Sequence, residues 1–234
     1  MDENTELEIG KVDEEQENKS ENLPEENKNN HKIFDDILEI IESTVVTMFV
    51  IMLVFTFFLH PVNVVGDSMN PTLVNEDRIF MSTVYTSLDY GDIVIINNDY
   101  AYGLDSDGNA VQMNIDGSQL KECIIKRIIA GEGQTVDIKD GKLSVDGKIL
   151  DEPYIASGAK TNALDAFSGS YPITIPEGYY FVMGDNREHS SDSRDSRVGL
   201  IKKDQIYGKA IIRYAPFSEF RLLGNTVNES SDER

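Results

Sequence analysis

The 234 residues are enough for one sizeable domain with appendages and too few for two large ones. A formal net charge of −21 leaves no excess of Lys and Arg to neutralise phosphates, which argues against a nucleic-acid partner. The single cysteine, Cys123, excludes an intramolecular disulfide, so no cystine staple contributes to stability.

Residues 1–32 carry eleven carboxylates against four lysines, with almost no aromatic or β-branched side chains. Such a segment cannot bury enough apolar surface to offset its ordering entropy, and is expected to be a disordered, solvated tail. The run STVVTMFVIMLVFTFFL at 43–59 then contains neither charge nor proline. Seventeen residues is the short limit for crossing a hydrocarbon core, and the expected transmembrane helix covers about 43–60 within a membrane-proximal segment 33–60. A cleavable leader would have a basic flank and a small-residue exit. Here the flank is acidic and the exit is His60-Pro61-Val62. Lys28 and Lys32 precede the span, and the first basic residue after it is Arg78. That asymmetry predicts an N-terminus in the cytoplasm and a C-terminal domain outside the plasma membrane.

From 61 to 224 short runs rich in Val, Ile and Tyr alternate with turn signals, which predicts an antiparallel, mainly β domain. Strands are expected at 93–96, 135–138, 143–145, 179–183 and 210–214. The Asp140-Gly141 pair marks a hairpin, and Asp146-Gly147 marks a second turn. The segments 99–119 and 157–170 are polar or glycine-rich and are expected to be long loops or insertions. Residues 225–234 read as a polar tail.

Three segments can carry chemistry. The first is Gly66-Asp67-Ser68-Met69-Asn70-Pro71-Thr72-Leu73. Read locally it is a turn, but Ser68 lies within ~30 Å of extended chain from the expected bilayer surface. The second is Cys123-Ile124-Ile125-Lys126-Arg127-Ile128-Ile129. In a strand, alternation sets Lys126 on one face with Ile124 and Ile128. Burial there would favour the neutral amine, which can take a proton from a serine hydroxyl. The alternative is a lysine that lays its stem over apolar surface and keeps its amine in water. Cys123, in the same apolar run, is expected to be a buried thiol acting as a small hydrophobe. The third is Gly184-Asp185-Asn186-Arg187 followed by Ser190-Ser191-Asp192-Ser193-Arg194. Its mixture of hydroxyls, carboxylates and guanidiniums suits a hydrogen-bonded shell around a site. Asp192 can pair with Arg194, and Ser190 or Ser193 can orient an amine.

Together, in this order and after one span, these segments resemble the type I signal peptidase family of bacteria; the turn Tyr90-Gly91-Asp92-Ile93-Val94 also matches a box of that family. The resemblance covers roughly 43–215. It implies a Ser-Lys peptidase fold of antiparallel β-sheet that cleaves signal peptides from exported preproteins after small residues, the A-x-A pattern, with no cofactor. It further implies Ser68 as the nucleophile, Lys126 as the general base, Ser190 orienting the amine, and Asp192 with Arg194 as a structural pair. The Ser68 N–H would be one oxyanion donor. Gly66 stands where some members have a hydroxyl residue, as in relatives from single-membrane bacteria.

Met69, Phe80 and Met81 are apolar groups expected at the membrane or lining substrate pockets. His31, His60 and His189 are not expected to be catalytic. Asp105-Ser106-Asp107-Gly108-Asn109 begins like a calcium loop but has glycine at the fourth position, so no metal is expected. The rival readings are a non-enzymatic, single-span β module that binds a partner, and a Ser-Lys repressor-type autoprotease. The second is opposed by the membrane span and the acidic balance.

Overall fold

The computed structural model describes residues 25–114, 123–167 and 170–224. The expectations for 1–24, 115–119 and 225–234 lie outside these. The chain divides into two compact units between Val54 and Phe55.

A single helix, α1, runs Glu25–Phe57. Its stretch Lys32–Phe57 has a mean hydropathy of 2.2 and is long and apolar enough to cross a membrane. Apolar side chains such as Ile40, Met48 and Phe49 are exposed, where a soluble core helix would bury them. Two of its hydroxyls are satisfied locally: Thr44 Oγ1 donates to the Ile40 carbonyl and Thr47 Oγ1 to the Ser43 carbonyl, both at 2.7 Å. The helix starts eighteen residues before the expected 43, inside the segment read as a solvated tail. A run that is helical from end to end can carry polar residues beyond its apolar part. It also ends before 60, because Leu59 already opens the first strand.

The strands are β1 Leu59–Asn63, β2 Arg78–Ser82, β3 Ile93–Asn97, β4 Tyr102–Leu104, β5 Ala110–Gln112, β6 Cys123–Ala130, β7 Thr135–Lys139, β8 Lys142–Val145, β9 Lys148–Ile149, β10 Ile173–Thr174, β11 Tyr179–Met183, β12 Ile201–Lys202, β13 Ile206–Ala215 and β14 Arg221–Leu222. Eight of them form one sheet in the order β1-β2-β13-β3-β6-β11-β12, with β14 beside β13. A second sheet, β10-β7-β8-β9, and the hairpin β4-β5 complete the fold. All strand pairings are antiparallel. The fold is thus the expected mainly β class.

Strand β3 shows how sequence sets position. Ile93 and Ile95 join a core cluster with Met69, Leu73, Ile79 and Met81, while Val94 and Ile96 join another with Ile128, Val182 and Ile201. Consecutive residues point to opposite faces, and both faces are covered, so Ile93–Ile96 are apolar without alternation and only the terminal Asn97 is polar. Strand β6 lies beside it with Lys126 opposite Val94 and Arg127 opposite Ile93. Two charged residues are thereby carried into the best-packed part of the sheet. A third cluster, including Ile129, Val136, Leu143 and Phe181, joins this sheet to the smaller one.

Asp140 and Gly141 take φ of 55° and 76°, and Asp146 and Gly147 take 51° and 75°. Two successive residues at positive φ are what a tight two-residue hairpin turn requires. Two expectations are corrected. The segment 99–119, read as a loop, contains the β4-β5 hairpin, which is too short and irregular to show alternation. Its turn is organised by the Asp105 carboxylate, which accepts the Asp107 and Asn109 N–H groups at 2.9 and 2.8 Å. Cys123, read as buried, is exposed, because it is the first residue of β6 and lies outside the packed stretch.

Candidate active site

Ser68 sits in the turn between β1 and β2. This turn is fixed from both sides. Gly66, at φ +88°, donates its N–H to Asn75 Oδ1 at 2.9 Å. The Leu73 N–H donates to the Met69 carbonyl at 2.9 Å. Met69 is only 1% exposed and packs in the cluster with Leu73 and Ile79, so it anchors the turn from below. Met69 and Met81 are therefore core residues. Phe80 is half-buried and stacks on Tyr214 at 4.4 Å.

Lys126 Nζ lies 2.9 Å from Ser68 Oγ, and it donates to the Ile125 carbonyl, also at 2.9 Å. Residues 58 positions apart thus meet at one point, where a non-enzymatic module would leave them apart. Lys126 is 3% exposed. Burial brings its pKa down to about 8, against the opposing influence of the Asp192 and Asp185 carboxylates. An amine with that pKa is neutral in about a tenth of molecules at pH 7, and a neutral amine has a lone pair to accept a hydroxyl proton.

The segment 184–194 closes the other side. Asn186 donates its N–H to the Ser68 carbonyl at 3.0 Å and its Nδ2 to the Asp67 carbonyl at 3.1 Å. Gly184 is required by close approach: a Cβ there would lie 2.2 Å from Ser190 Oγ and 2.4 Å from the Ser68 carbonyl oxygen. Ser190 is thus beside the Ser68 backbone. Its buried Oγ has no hydrogen-bond partner among the described residues, so a bond from Ser190 to the Lys126 amine is not formed. Such a hydroxyl costs about 1–3 kcal/mol of desolvation. Ser193 instead accepts the Val182 N–H and ties the segment to β11.

Asp192 and Arg194 form a buried two-pronged pair, with Arg194 Nε and Nη2 each 2.8 Å from a carboxylate oxygen. Asp192 also accepts the Gly184 N–H at 3.0 Å. Arg127, next to the site lysine, pairs in the same manner with Asp185 at 2.8 and 2.6 Å, and donates to the Gly91 carbonyl at 2.6 Å. Its guanidinium carbon stands 4.1 Å from the centre of the Tyr154 ring. Arg187 donates to both Glu152 oxygens, to Thr161 Oγ1 at 2.7 Å and to the Gly184 carbonyl at 3.1 Å. His189 is exposed.

The sequence reading did not single out Glu152, Tyr154 and Thr161. No local signal marks them: Arg187 is buried between the partly buried Asn186 and the exposed Glu188, and its partner Glu152 stands 35 residues away.

Comparison with known proteins returns a single theme. The family described as "Signal peptidase, peptidase S26" matches residues 37–215. Signal peptidase I S of Bacillus subtilis (strain 168) is 35% identical over 192 residues, 79% of this chain and 92% of that protein. Signal peptidase I of Bacillus licheniformis is 34% identical over 208 residues, covering 85% and 98%. Signal peptidase IB of Staphylococcus aureus (strain COL) is 34% identical over 211 residues, covering 82% and 97%. With a match over most of its β unit and near-complete coverage of these relatives, the chain belongs to the signal peptidase family, peptidase S26.

Proposed function

We propose that this chain is a membrane-bound serine endopeptidase that cleaves signal peptides from preproteins, with Ser68 as nucleophile and Lys126 as general base. The observation that carries the reading is the 2.9 Å approach of Lys126 Nζ to Ser68 Oγ in a pocket that holds the amine's pKa near 8. The neutral amine takes the Ser68 proton as Oγ attacks the scissile carbonyl carbon. The resulting ammonium gives that proton to the departing amine, leaving an ester on Ser68. The amine, neutral again, takes a proton from water, the hydroxide displaces Ser68, and the ammonium returns the proton to Oγ. The Ser68 N–H is one oxyanion donor. The Gly66 N–H is held by Asn75 and does not serve as the second.

The substrate enters as an extended strand. Strand β1 stands at the end of the large sheet and leads into the Ser68 turn, so its outer edge, unpaired among the described residues, offers backbone groups to a peptide. Val62 and Ile125, partly exposed over the Met69 cluster, give an apolar floor suited to the small side chains of an A-x-A site. The helix α1 anchors the protein in the plasma membrane, with Lys28 and Lys32 on the cytoplasmic side and the β unit outside. Asp192, Arg194 and Ser190 support the pair rather than react.

The test is incubation of the full-length protein in detergent micelles with a preprotein bearing an A-x-A site. The expected result is one cut at that site by the wild type and none by Ser68→Ala or Lys126→Ala. Equal cutting by either variant would move the chemistry elsewhere.

A further inference from the structure

Three guanidiniums are buried behind the Ser68–Lys126 pair, and each has its own carboxylate. Arg127 has Asp185 and Arg194 has Asp192, both drawn from the 184–194 segment. Arg187 does not: its partner Glu152 comes from the irregular segment after β9, 35 residues away. Both side chains of that pair are nearly inaccessible, at 0% and 8% exposed.

What Arg187 holds is the Gly184 peptide. That residue is gripped at both ends, its N–H donating to Asp192 and its carbonyl accepting from Arg187 Nε. Against its Cα rest Ser190 Oγ and the Ser68 carbonyl, with no room for a methyl group. Two residues on, the Asn186 N–H holds the Ser68 carbonyl directly. A displacement of Arg187 is therefore passed through Gly184 to the backbone of Ser68.

Glu152 orients Arg187 with both its oxygens, and Tyr154 secures Glu152 in turn. The Tyr154 hydroxyl donates to Glu152 Oε1 at 2.9 Å, and its ring packs under Arg127. Burial beside Glu152 raises the Tyr154 hydroxyl's pKa, so it stays a donor across the working range.

We propose that Glu152 is a positioning residue for the peptidase reaction, acting through the Arg187 fork on the Gly184 carbonyl to set the Ser68 backbone. This rests on the peptidase reading given above. A misplacement of about 1 Å at a reacting group costs on the order of 100-fold in rate. Loss of the fork should lower kcat and spare the substrate edge.

The experiment measures kcat and KM of the full-length protein in micelles on an A-x-A preprotein, with thermal unfolding alongside. Glu152→Gln is expected to lower kcat by about 10- to 100-fold with KM within about twofold. The paired replacement Glu152→Leu with Arg187→Met removes both charges, and apolar substitutes for a buried pair commonly keep a fold stable. It should unfold near the wild-type temperature yet keep the low kcat. Wild-type kcat in Glu152→Gln overturns the proposal. So does recovery of kcat together with stability in the paired variant, which would make the role purely structural. Should Glu152→Gln not fold, the paired variant alone decides. A wild type that does not cut, or a Ser68→Ala that cuts equally well, fails the peptidase reading itself and takes this inference with it.

Discussion

The two neighbours Lys126 and Arg127 sit on one strand, are both almost wholly buried, and are treated in opposite ways. Arg127 receives a two-pronged carboxylate, a backbone carbonyl and an aromatic face. Lys126 receives a hydroxyl and a carbonyl and, among the described residues, has no carboxylate in contact. A guanidinium cannot shed its proton under these conditions, so burying one demands a counter-ion. An amine can, and withholding the counter-ion makes the neutral form accessible. The cluster around Arg127, Arg187 and Arg194 is fully charge-paired, while Lys126 is not, and on the proposed reading that gap in pairing is what makes the amine reactive.

The strongest way to break this comparison is to exchange the fates of the two residues. Lys126→Met is expected to lower kcat/KM by about 10²- to 10⁴-fold, the usual contribution of a general base. It should also stabilise the protein at pH 7. The folded pKa of about 8 lies below the roughly 10.4 of an unfolded lysine, so the unfolded chain binds more protons between those values. Wild-type stability should therefore rise with pH across that window. The advantage of Lys126→Met, up to about 3 kcal/mol below pH 8, should vanish above about 10.4. Denaturant unfolding at pH 7 and pH 10 measures it.

Arg127→Met should do the reverse and destabilise by about 3–5 kcal/mol, because Asp185 is left buried and unpaired. Adding Asp185→Leu should restore most of that loss. Equal stability of the single and paired variants in urea would show that the two charges do not depend on each other.

Gly184→Ala tests the frame at its tightest point. The new methyl meets both Ser190 and the Ser68 carbonyl oxygen, and while the hydroxyl can turn aside, the Ser68 backbone must move. A fall of about 100-fold in kcat, with KM little changed, is expected.

The smallest effect concerns Ser190, whose buried hydroxyl has no partner among the described residues. Ser190→Ala should be neutral or more stable by about 1 kcal/mol. If Ser190 orients the amine during the reaction, kcat should fall about tenfold nonetheless. Unchanged kcat would reduce Ser190 to a packing residue.

Much of this molecule could be read before any coordinates. The Asp-Gly turns announced the β7-β8-β9 meander because two consecutive positive φ values leave few residue choices. The run at 123–129 left open whether Lys126 is buried or keeps its amine in water; β6 buries it at 3% exposed. Glu152, Tyr154 and Thr161 stayed hidden because their segment has no period and Arg187, which Glu152 and Thr161 bind, is at least 26 residues away. A charge pair across that distance leaves no local pattern. Cys123 was misplaced for a related reason: the apolar run gives the strand but not where its packing begins. The helix began earlier than read because composition separates apolar from polar residues, while helicity continues across that boundary.

The most direct measurement is a titration of the Lys126 side chain by NMR in the full-length protein in micelles, its resonance assigned by its loss in Lys126→Met. The account predicts an inflection near pH 8, matched by an acid limb at the same pH in kcat/KM for a preprotein. An inflection at or above that of a solvated lysine, about 10.4, would contradict it.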